Sequence, residues 1–188
     1  MIAWSECFAT HIEIVDDQHK RLFDLLNKLS DSYNKNGPCE SSVDEILKSL
    51  IAYADEHFIE EELLMLHNKL DERHIGIHRM EHKSFIYDVN NMWTHLSSEE
   101  EVLTLTEKLV CFITSWLTYH ILGTDRIMVD QIMSIQHGAS PEQAYEQRNN
   151  FKYDAVVTRL MLDSVLDLWR ISAERCFKLE EKLAKLRQ

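Results

Sequence analysis

Glycine and proline, the residues that most often end helices and form turns, are scarce in this chain, with four Gly and two Pro in 188 residues. All-β folds need many turns, so this scarcity argues against them. Hydrophobic residues make up 45% of the chain, which is enough for a core that needs no disulfide bonds. The composition therefore predicts an all-α protein.

The few helix breakers and capping motifs divide the chain into helical segments. Gly37-Pro38 is expected to end the first segment, and Ser42-x-x-Glu45 has the pattern of a capping box that opens the second. Gly76 is expected to separate the second segment from the third, and Ser98-x-x-Glu101 to open the fourth. Because apolar residues recur at helical spacing in all four segments, we predict an up-down-up-down four-helix bundle.

The end of the bundle is predicted at Gly138, which has the position of a C-terminal helix stop. Residues 1–138 would then form the bundle. Ser140-Pro141-Glu142-Gln143 places proline at the first position of a new helix. Residues 139–188 are predicted to form a helical connector, as either one long helix or two shorter ones.

The charge and the cysteines restrict the partners and the compartment. A net charge of −12 repels phosphate backbones and anionic lipid, so we expect neither a nucleic-acid nor a membrane partner. The four cysteines form no CxxC pair, and the N-terminus lacks an export signal, as is typical of a reducing compartment. The longest uncharged stretch, from Leu109 to Thr124, is too short and too polar to span a membrane. The expected location is cytoplasmic.

Histidine is unusually frequent, with ten residues, and several of them continue the apolar rows of the predicted helices. Residues four apart share a helix face, and two such pairs continue an apolar row, one of two histidines and one of a histidine and a glutamate. A single histidine extends the apolar row of the first helix, and another that of the fourth. The polar residues predicted to face the bundle axis are His19, His57, Glu61, His78, His82 and His120.

A metal explains this set better than a core of hydrogen-bonded histidines does. A single buried histidine is more often hydrogen-bonded than metal-bound, but here five of them come from four helices together with a carboxylate. Each unpaired buried polar group costs about 1–3 kcal/mol. A bound metal satisfies all of them at once, and facing helices of a bundle are a known place for such a site.

Residue spacing alone does not decide whether Asp125 and His74 belong to the inward-facing set. Asp125 follows His120 by five residues, which is about 140° on a regular helix. It shares the inward face only if the turn at Gly123 widens, and otherwise lies on the surface beside Arg126. His74 precedes His78 by four residues and forms an alternative pair with it.

Taken in order, four motifs resemble those of a bacterial hemerythrin domain. They are His19; His57-Phe-Ile-Glu-Glu61; His78-x-x-x-His82; and Trp116-x-x-x-His120-Ile-Leu-Gly-Thr-Asp125. The surrounding residues are also similar, including Trp4, the run Asp16-Asp17-Gln18-His19-Lys20, Leu22-Phe23 and Met65. The resemblance covers residues 1–138 and is carried by the four motifs together rather than by any one of them.

The resemblance implies a hemerythrin-like bundle with a non-haem di-iron site. His78, His82 and His120 would bind one iron, and His19 and His57 the other. Glu61 and Asp125 would bridge the two metals, with an oxo or hydroxo group between them. The two-histidine iron would keep an open position, where dioxygen binds end-on and is held as peroxide, or where a small anion binds.

The chain departs from the family pattern at two places. It has His11 where family members usually carry glycine, and Arg73-His74-Ile75-Gly76 in place of a Tyr-Pro-like turn. Phe85 follows His82 in the family register, which favours His78 and His82 over the alternative pair. The histidines expected on the surface or in loops are His11, His67, His95 and His137.

Three functions are weighed for such a site: dioxygen binding or sensing, catalysis by a di-iron oxidase or by an enzyme that consumes peroxide or nitric oxide, and a structural zinc site. Ferritin-like oxidases use four carboxylates and two Glu-x-x-His pairs, whereas this set has five histidines and two carboxylates. A structural zinc takes four ligands, fewer than the seven here. Dioxygen binding is therefore favoured, with a simple oxygen carrier or store as an alternative to a sensor. No nucleophile triad or nucleotide motif occurs, so we expect no enzyme activity from these residues.

The connector carries a second periodic pattern, which we call the seam. Its members alternate three and four residues apart, the spacing of a coiled coil. The seam consists of Leu162, Val165, Trp169, Ser172, Cys176, Leu179, Leu183 and Leu186. In a parallel two-stranded coil Arg175 would pair with Glu180, whereas Lys182 would face Arg187 unfavourably.

The seam predicts a homodimer through the C-terminal helix, and the alternative is a helix that folds back on its own bundle. Before the seam the apolar face is wider, so this part is expected either to pack on the bundle or to form a broader interface; it consists of Val156, Val157, Leu160 and Met161. Because the pattern continues to the last residues, we expect a connector to a further output domain. Hemerythrin-like domains are found fused to signalling outputs, including diguanylate cyclases and chemotaxis-type receptors. The resemblance thus implies an oxygen or redox sensor module, with any enzymatic output, such as a diguanylate cyclase, lying outside these residues.

Overall fold

The fold is all-α, as the sequence predicts. A computed structural model describes residues 3–36, 40–93, 99–148 and 153–186, and these ranges contain no strand. A short 3-10 helix, Glu6–Phe8, precedes the first long helix. The α-helices are α1 Glu13–Asn36, α2 Glu40–His67, α3 Glu72–Trp93, α4 Glu99–His120, α5 Arg126–Gln136, α6 Pro141–Gln147 and α7 Ala155–Leu186. A π-helical segment, Ile121–Asp125, joins α4 to α5.

The first four helices form an up-down-up-down bundle. Each helix contacts the next one in the chain, and α4 returns to contact α1. Side-chain contacts fix the antiparallel directions: near one end of the α2–α3 pair Glu62 accepts a hydrogen bond from Arg79, and near the other end Asp44 accepts one from Trp93. The result is the hemerythrin-like bundle that the resemblance implies.

Two apolar clusters fill the interior on either side of a polar layer. The larger one includes Leu22, Leu26, Leu50, Phe85 and Ile113. The smaller one consists of Met65, Leu70, Ile75, Met128, Val129 and Ile132, with partly buried neighbours. Along α2 and α3 the buried histidines lie between residues of these two clusters, so the polar layer has apolar packing at both ends.

Two predicted helix boundaries are wrong. The second helix already begins at Glu40, so Ser42 lies in its first turn and does not cap it. Gly76 lies inside α3 and separates nothing, because the chain turns earlier, at Lys69, where φ is 55°. Asp71 then caps α3 by accepting a hydrogen bond from the Arg73 backbone at 2.9 Å. A side-chain cap, rather than a glycine, therefore starts this helix. The predicted stop at Gly37-Pro38 lies outside the described residues, as does Ser98 of the second predicted capping box.

The helix start predicted at Ser140-Pro141 is confirmed. Gly138 adopts a φ of 98° just after α5. Ser140 and Gln143 form a reciprocal capping box, in which Ser140 Oγ accepts from the Gln143 backbone at 3.2 Å and Gln143 Oε1 from the Ser140 backbone at 2.9 Å. The segment contains two helices, α6 and α7.

Helix α7 runs back along α4 in the antiparallel direction. Met161 packs beside Gly123, and further along Glu174 pairs with Lys108 at 3.2 Å. The face of α7 that meets the bundle includes Val157 and Ser164, both buried. One face of α7 therefore folds back on the bundle, as the alternative predicts. The residues of the seam are exposed and lie on a neighbouring face. Among the described residues, no helix is both long enough and apolar enough to cross a membrane.

Candidate metal centre

The structure brings all seven sequence-predicted ligands into one enclosed polar cluster. Four helices and the π segment each contribute to it, and no member is more than 2% exposed. The cluster consists of His19 from α1, His57 and Glu61 from α2, His78 and His82 from α3, His120 from α4 and Asp125 from the π segment.

The π segment explains how Asp125 joins His120 in the cluster. Two residues that are five positions apart on an α-helix would point about 140° away from each other. A π turn bonds each residue to the one five positions on and so brings the two onto one face. Asp125 Oδ1 lies 3.1 Å from His120 Nε2, and its side chain is fully buried. The widened turn, and not the surface position beside Arg126, is the alternative that occurs.

Glu61 divides the histidines into two sets. Its Oε2 atom lies 3.3 Å from His82 Nε2 and 3.5 Å from His78 Nε2. Its Oε1 atom lies 3.6 Å from His57 Nε2 and 3.8 Å from His19 Nε2. Each carboxylate oxygen therefore faces one histidine set.

Asp125 repeats this arrangement from the opposite side. Its Oδ1 atom lies 3.2 Å from His78 Nε2 and 3.1 Å from His120 Nε2, whereas Oδ2 lies 3.2 Å from His19 Nε2. His82 Nε2 and His120 Nε2 approach to 3.0 Å within the first set. Two groups of converging ligand atoms result, one with three histidines and one with two.

The residues fit a pair of metal ions. Both oxygens of Glu61 and of Asp125 are buried without a hydrogen-bond partner among the described residues, as are both ring nitrogens of His19 and of His78. Leaving such groups unpaired is costly, and buried charges are normally paired or bound to a metal. Imidazole nitrogens with carboxylate oxygens suit iron, and two cations placed between the groups would use all the inward atoms.

Burial and neighbouring charges prepare these groups to bind cations. Burial lowers the pKa of His57 and of His82 to about 4, so both rings are neutral and each keeps a free lone pair. For His120 burial acts in the same direction, but Asp125 and Glu81 outweigh it and raise its pKa to about 10, so a cation that binds at its Nε2 displaces a proton. Burial would raise the pKa of Glu61 and of Asp125, yet the surrounding histidines hold both below their usual range. The carboxylates are therefore ionised.

Aromatic rings that belong to the larger apolar core or pack against it lie directly beside the cluster histidines. Phe58 stacks on His82 with ring centroids 3.8 Å apart, and Trp116 stacks on His120 at 4.2 Å. Trp4 lies near His19, with ring centroids 6.4 Å apart. These rings exclude water and restrict the rotation of the histidines.

Two polar residues that the sequence reasoning missed hold ligand rings from outside. Gln18 accepts a hydrogen bond from His57 Nδ1 at 2.9 Å. Glu81 accepts one from His120 Nδ1 at 2.9 Å and another from Thr124 Oγ1 at 2.8 Å. Both are adjacent in sequence to a ligand histidine, and this adjacency is the one signal that could have indicated them.

The other histidines lie outside the cluster. His74 is buried, but its ring centroid is 5.5 Å from that of His78 and it joins neither ligand group. His11, His67 and His137 are exposed, as expected, whereas His95 lies outside the described residues. His11 has a φ of 63°, a conformation that favours glycine, which accounts for the family preference at this position.

Comparison with known proteins agrees with this geometry. Residues 10–132 match the family described as the hemerythrin HHE cation binding domain. The bacteriohemerythrin of Pseudomonas aeruginosa is 28% identical over 131 residues, which are 70% of this chain and 81% of that protein. The bacteriohemerythrin of Methylococcus capsulatus is 30% identical over 129 residues, 68% of this chain and 93% of that protein. The myohemerythrin of Theromyzon tessulatum is 27% identical over 122 residues, 65% of this chain and 86% of that protein.

Proposed function

Because this chain belongs to the hemerythrin family, we propose that its bundle holds two iron ions and binds dioxygen or a small anion at one of them. The observation that carries the proposal is the division of the ligand atoms by Glu61 and Asp125, each of which directs one oxygen to each histidine set. Family membership supports the same metal, since hemerythrins bind a non-haem di-iron centre.

In this proposal His78, His82 and His120 hold one iron, while His19 and His57 hold the other. Glu61 and Asp125 bridge the two. The iron pair supplies the electrons and the coordination position for the bound molecule. The set with two histidines has one protein ligand fewer, so the exogenous ligand binds there. We expect the residues themselves to carry out no enzymatic reaction.

Iron analysis and azide addition test the proposal. We expect two irons per chain after loading with ferrous salt, and a visible absorption spectrum after air exposure that changes when azide is added. The change is expected because an open position accepts a small anion. Zinc-loaded protein, which has no such visible spectrum, is the matched control.

The possible results separate the alternatives. One metal per chain, or a preference for zinc over iron at equal concentrations, would favour a structural site and contradict the di-iron proposal. If the protein binds two irons but its absorption spectrum does not change at saturating azide, the proposal of an open coordination position is wrong. Steady turnover of peroxide or nitric oxide would favour the enzyme alternative.

We further propose that the site is an oxygen or redox sensor and that α7 passes its state to an output. The support is the packing of α7 against the π segment, where Gly123 faces Met161: a Cβ atom added to Gly123 would lie only 3.2 Å from Met161 Cε. Gly123 belongs to the π segment that also carries Asp125. A ligand-dependent shift of Asp125 would therefore reach α7 through this contact. A signalling output joined to α7, such as a diguanylate cyclase, would receive it.

The seam of α7 is the proposed homodimer contact. All eight seam residues are exposed, including Trp169 at 70% and Leu183 at 53%. The stripe spans more than three heptads, about the length that a coiled coil needs. We propose that a second copy of the chain packs on the seam, because the seam has the heptad spacing of identical helices that pair in a coiled coil.

Light scattering tests the dimer. We expect residues 1–188 to be dimeric at about 100 μM, well above a micromolar dissociation constant. Leu183→Asp should weaken the dimer at least about 100-fold, because a buried Leu is worth about 1.5–3 kcal/mol in each copy. Phe177→Asp is the control, since Phe177 is 63% exposed but lies off the seam. A wild-type monomer, or equal effects of the two variants, would overturn the dimer proposal.

A further inference from the structure

The five ligand histidines differ in whether Nδ1, the ring nitrogen that points away from the cluster, has a hydrogen-bond partner. In the described structure, Nδ1 of His19, of His78 and of His82 has no hydrogen-bond partner. Nδ1 of His57 and of His120 each donates one bond of 2.9 Å. One anchored histidine therefore belongs to each of the two ligand sets.

The two anchors carry different charges. Gln18 presents a neutral amide oxygen to His57, and its orientation is fixed because its Nε2 donates to the Glu60 carboxylate. Glu81 presents a carboxylate to His120 and is itself held by the Thr124 hydroxyl. Both anchors keep a proton on Nδ1, so Nε2 is the nitrogen of each ring that faces the cluster and can bind a metal. Only Glu81 adds a full negative charge.

We infer that Glu81 and Gln18 are positioning residues that give the two irons unequal reduction potentials. The inference rests on the proposed di-iron function. A carboxylate behind an imidazole makes the ring a more basic ligand, which stabilises the more highly charged metal. The iron bound by His120 therefore has the lower midpoint potential and is oxidised first. Each iron changes between ferrous and ferric by one electron, which a redox mediator removes or supplies in the experiment.

Two exchange variants test this asymmetry by spectroelectrochemical titration of the iron-loaded chain. Glu81→Gln keeps an acceptor for His120 but removes the charge, and should raise the lower midpoint. We expect the ferric-to-ferrous ratio at a fixed potential to fall about tenfold, which is 59 mV for a one-electron couple. Gln18→Glu adds the charge behind His57 and should lower the higher midpoint by a similar amount.

Glu62→Gln is the matched control. The Glu62 side chain is 25% exposed, the same fraction as that of Glu81, and Oε1 lies 3.8 Å from His82 Nδ1, beyond hydrogen-bond distance. It removes the same charge near a ligand without removing a hydrogen bond to it. We expect both midpoints of this variant to shift clearly less than the lower midpoint does in Glu81→Gln, because no hydrogen bond to the ring is changed.

The outcomes separate this inference from the proposed function. A wild-type chain that does not take up two irons overturns both. If the iron-loaded Glu81→Gln variant has the wild-type midpoints, or if Glu62→Gln shifts them equally, only the inference of unequal reduction potentials is overturned. A purely structural role would not move the midpoints in opposite directions in Glu81→Gln and Gln18→Glu. If Glu81→Gln loses iron, Gln18→Glu decides: a lowered midpoint supports the inference and an unchanged one overturns it.

Discussion

Replacing His57 by alanine is expected to leave the protein with one iron or fewer per chain, compared with two in the wild type. His57 is 2% exposed and its Nε2 lies 3.6 Å from the Glu61 oxygen that faces the two-histidine set. Its loss leaves that set with a single histidine and leaves Oε1 of Gln18 without its donor. Metal analysis after loading and desalting measures the loss, and circular dichroism confirms that the helices remain.

His67→Ala is the control for this variant, because it removes a histidine from the same helix. His67 is exposed at the end of α2 and contributes to neither ligand group. We expect it to retain two irons and the wild-type spectrum. If both variants bind the same amount of iron, His57 is not a ligand and the assignment of the two-histidine set is wrong.

Much of this site could be predicted from the sequence because helical periodicity fixes which residues share a face. His57 with Glu61, and His78 with His82, follow from a spacing of four residues, and the structure places all four in the cluster. Spacing alone could not choose between His74 and His82 as the partner of His78, since each lies four residues from it. The register of Phe85, which lies in the larger apolar core beyond His82, favoured the pair found inside.

Asp125 shows where periodicity fails. A regular helix turns it away from His120, and only the family resemblance assigned it to the site before the structure was known. The cause is the π turn, which inserts one extra residue and is tolerated where Gly123 leaves room for Met161 of α7. The packing partner lies far along the chain, so no local pattern could indicate it.

The residues behind the ligands and the two faces of α7 were beyond sequence reasoning for a similar reason. A hydrogen bond from His120 to Glu81 depends on how two helices are rotated against each other, which spacing within one helix does not determine. On α7 the sequence shows the heptad seam and a wider apolar face around Val157, but it leaves open whether this face packs on the bundle or belongs to a broader interface; in the structure Val157 is buried in the larger core. A helix that must satisfy two contacts carries two overlapping patterns, and spacing alone does not assign each pattern to its partner.

Iron loading is expected to raise the melting temperature of the protein strongly. Without metal, the interior holds two ionised carboxylates, Glu61 and Asp125, whose four oxygens lack hydrogen-bond partners among the described residues. A ligand that binds the folded state alone at 1,000 times its dissociation constant stabilises it by about 4 kcal/mol. For a chain of this size, 1 kcal/mol corresponds to about 2–4 °C, so each occupied site should add about 8–16 °C. Anaerobic differential scanning calorimetry with and without ferrous salt measures the shift.

Magnesium at the same concentration is the control for a general effect of divalent cations. It prefers oxygen ligands in octahedral geometry, and the candidate centre offers mainly imidazole nitrogens, so the expected shift is close to zero. A chelator should reverse the shift produced by iron, and His57→Ala should lose a large part of it because one set of ligands is incomplete. An iron shift no larger than the magnesium shift would mean that the buried carboxylates and histidines do not gather around a metal, and the di-iron proposal would fall with it.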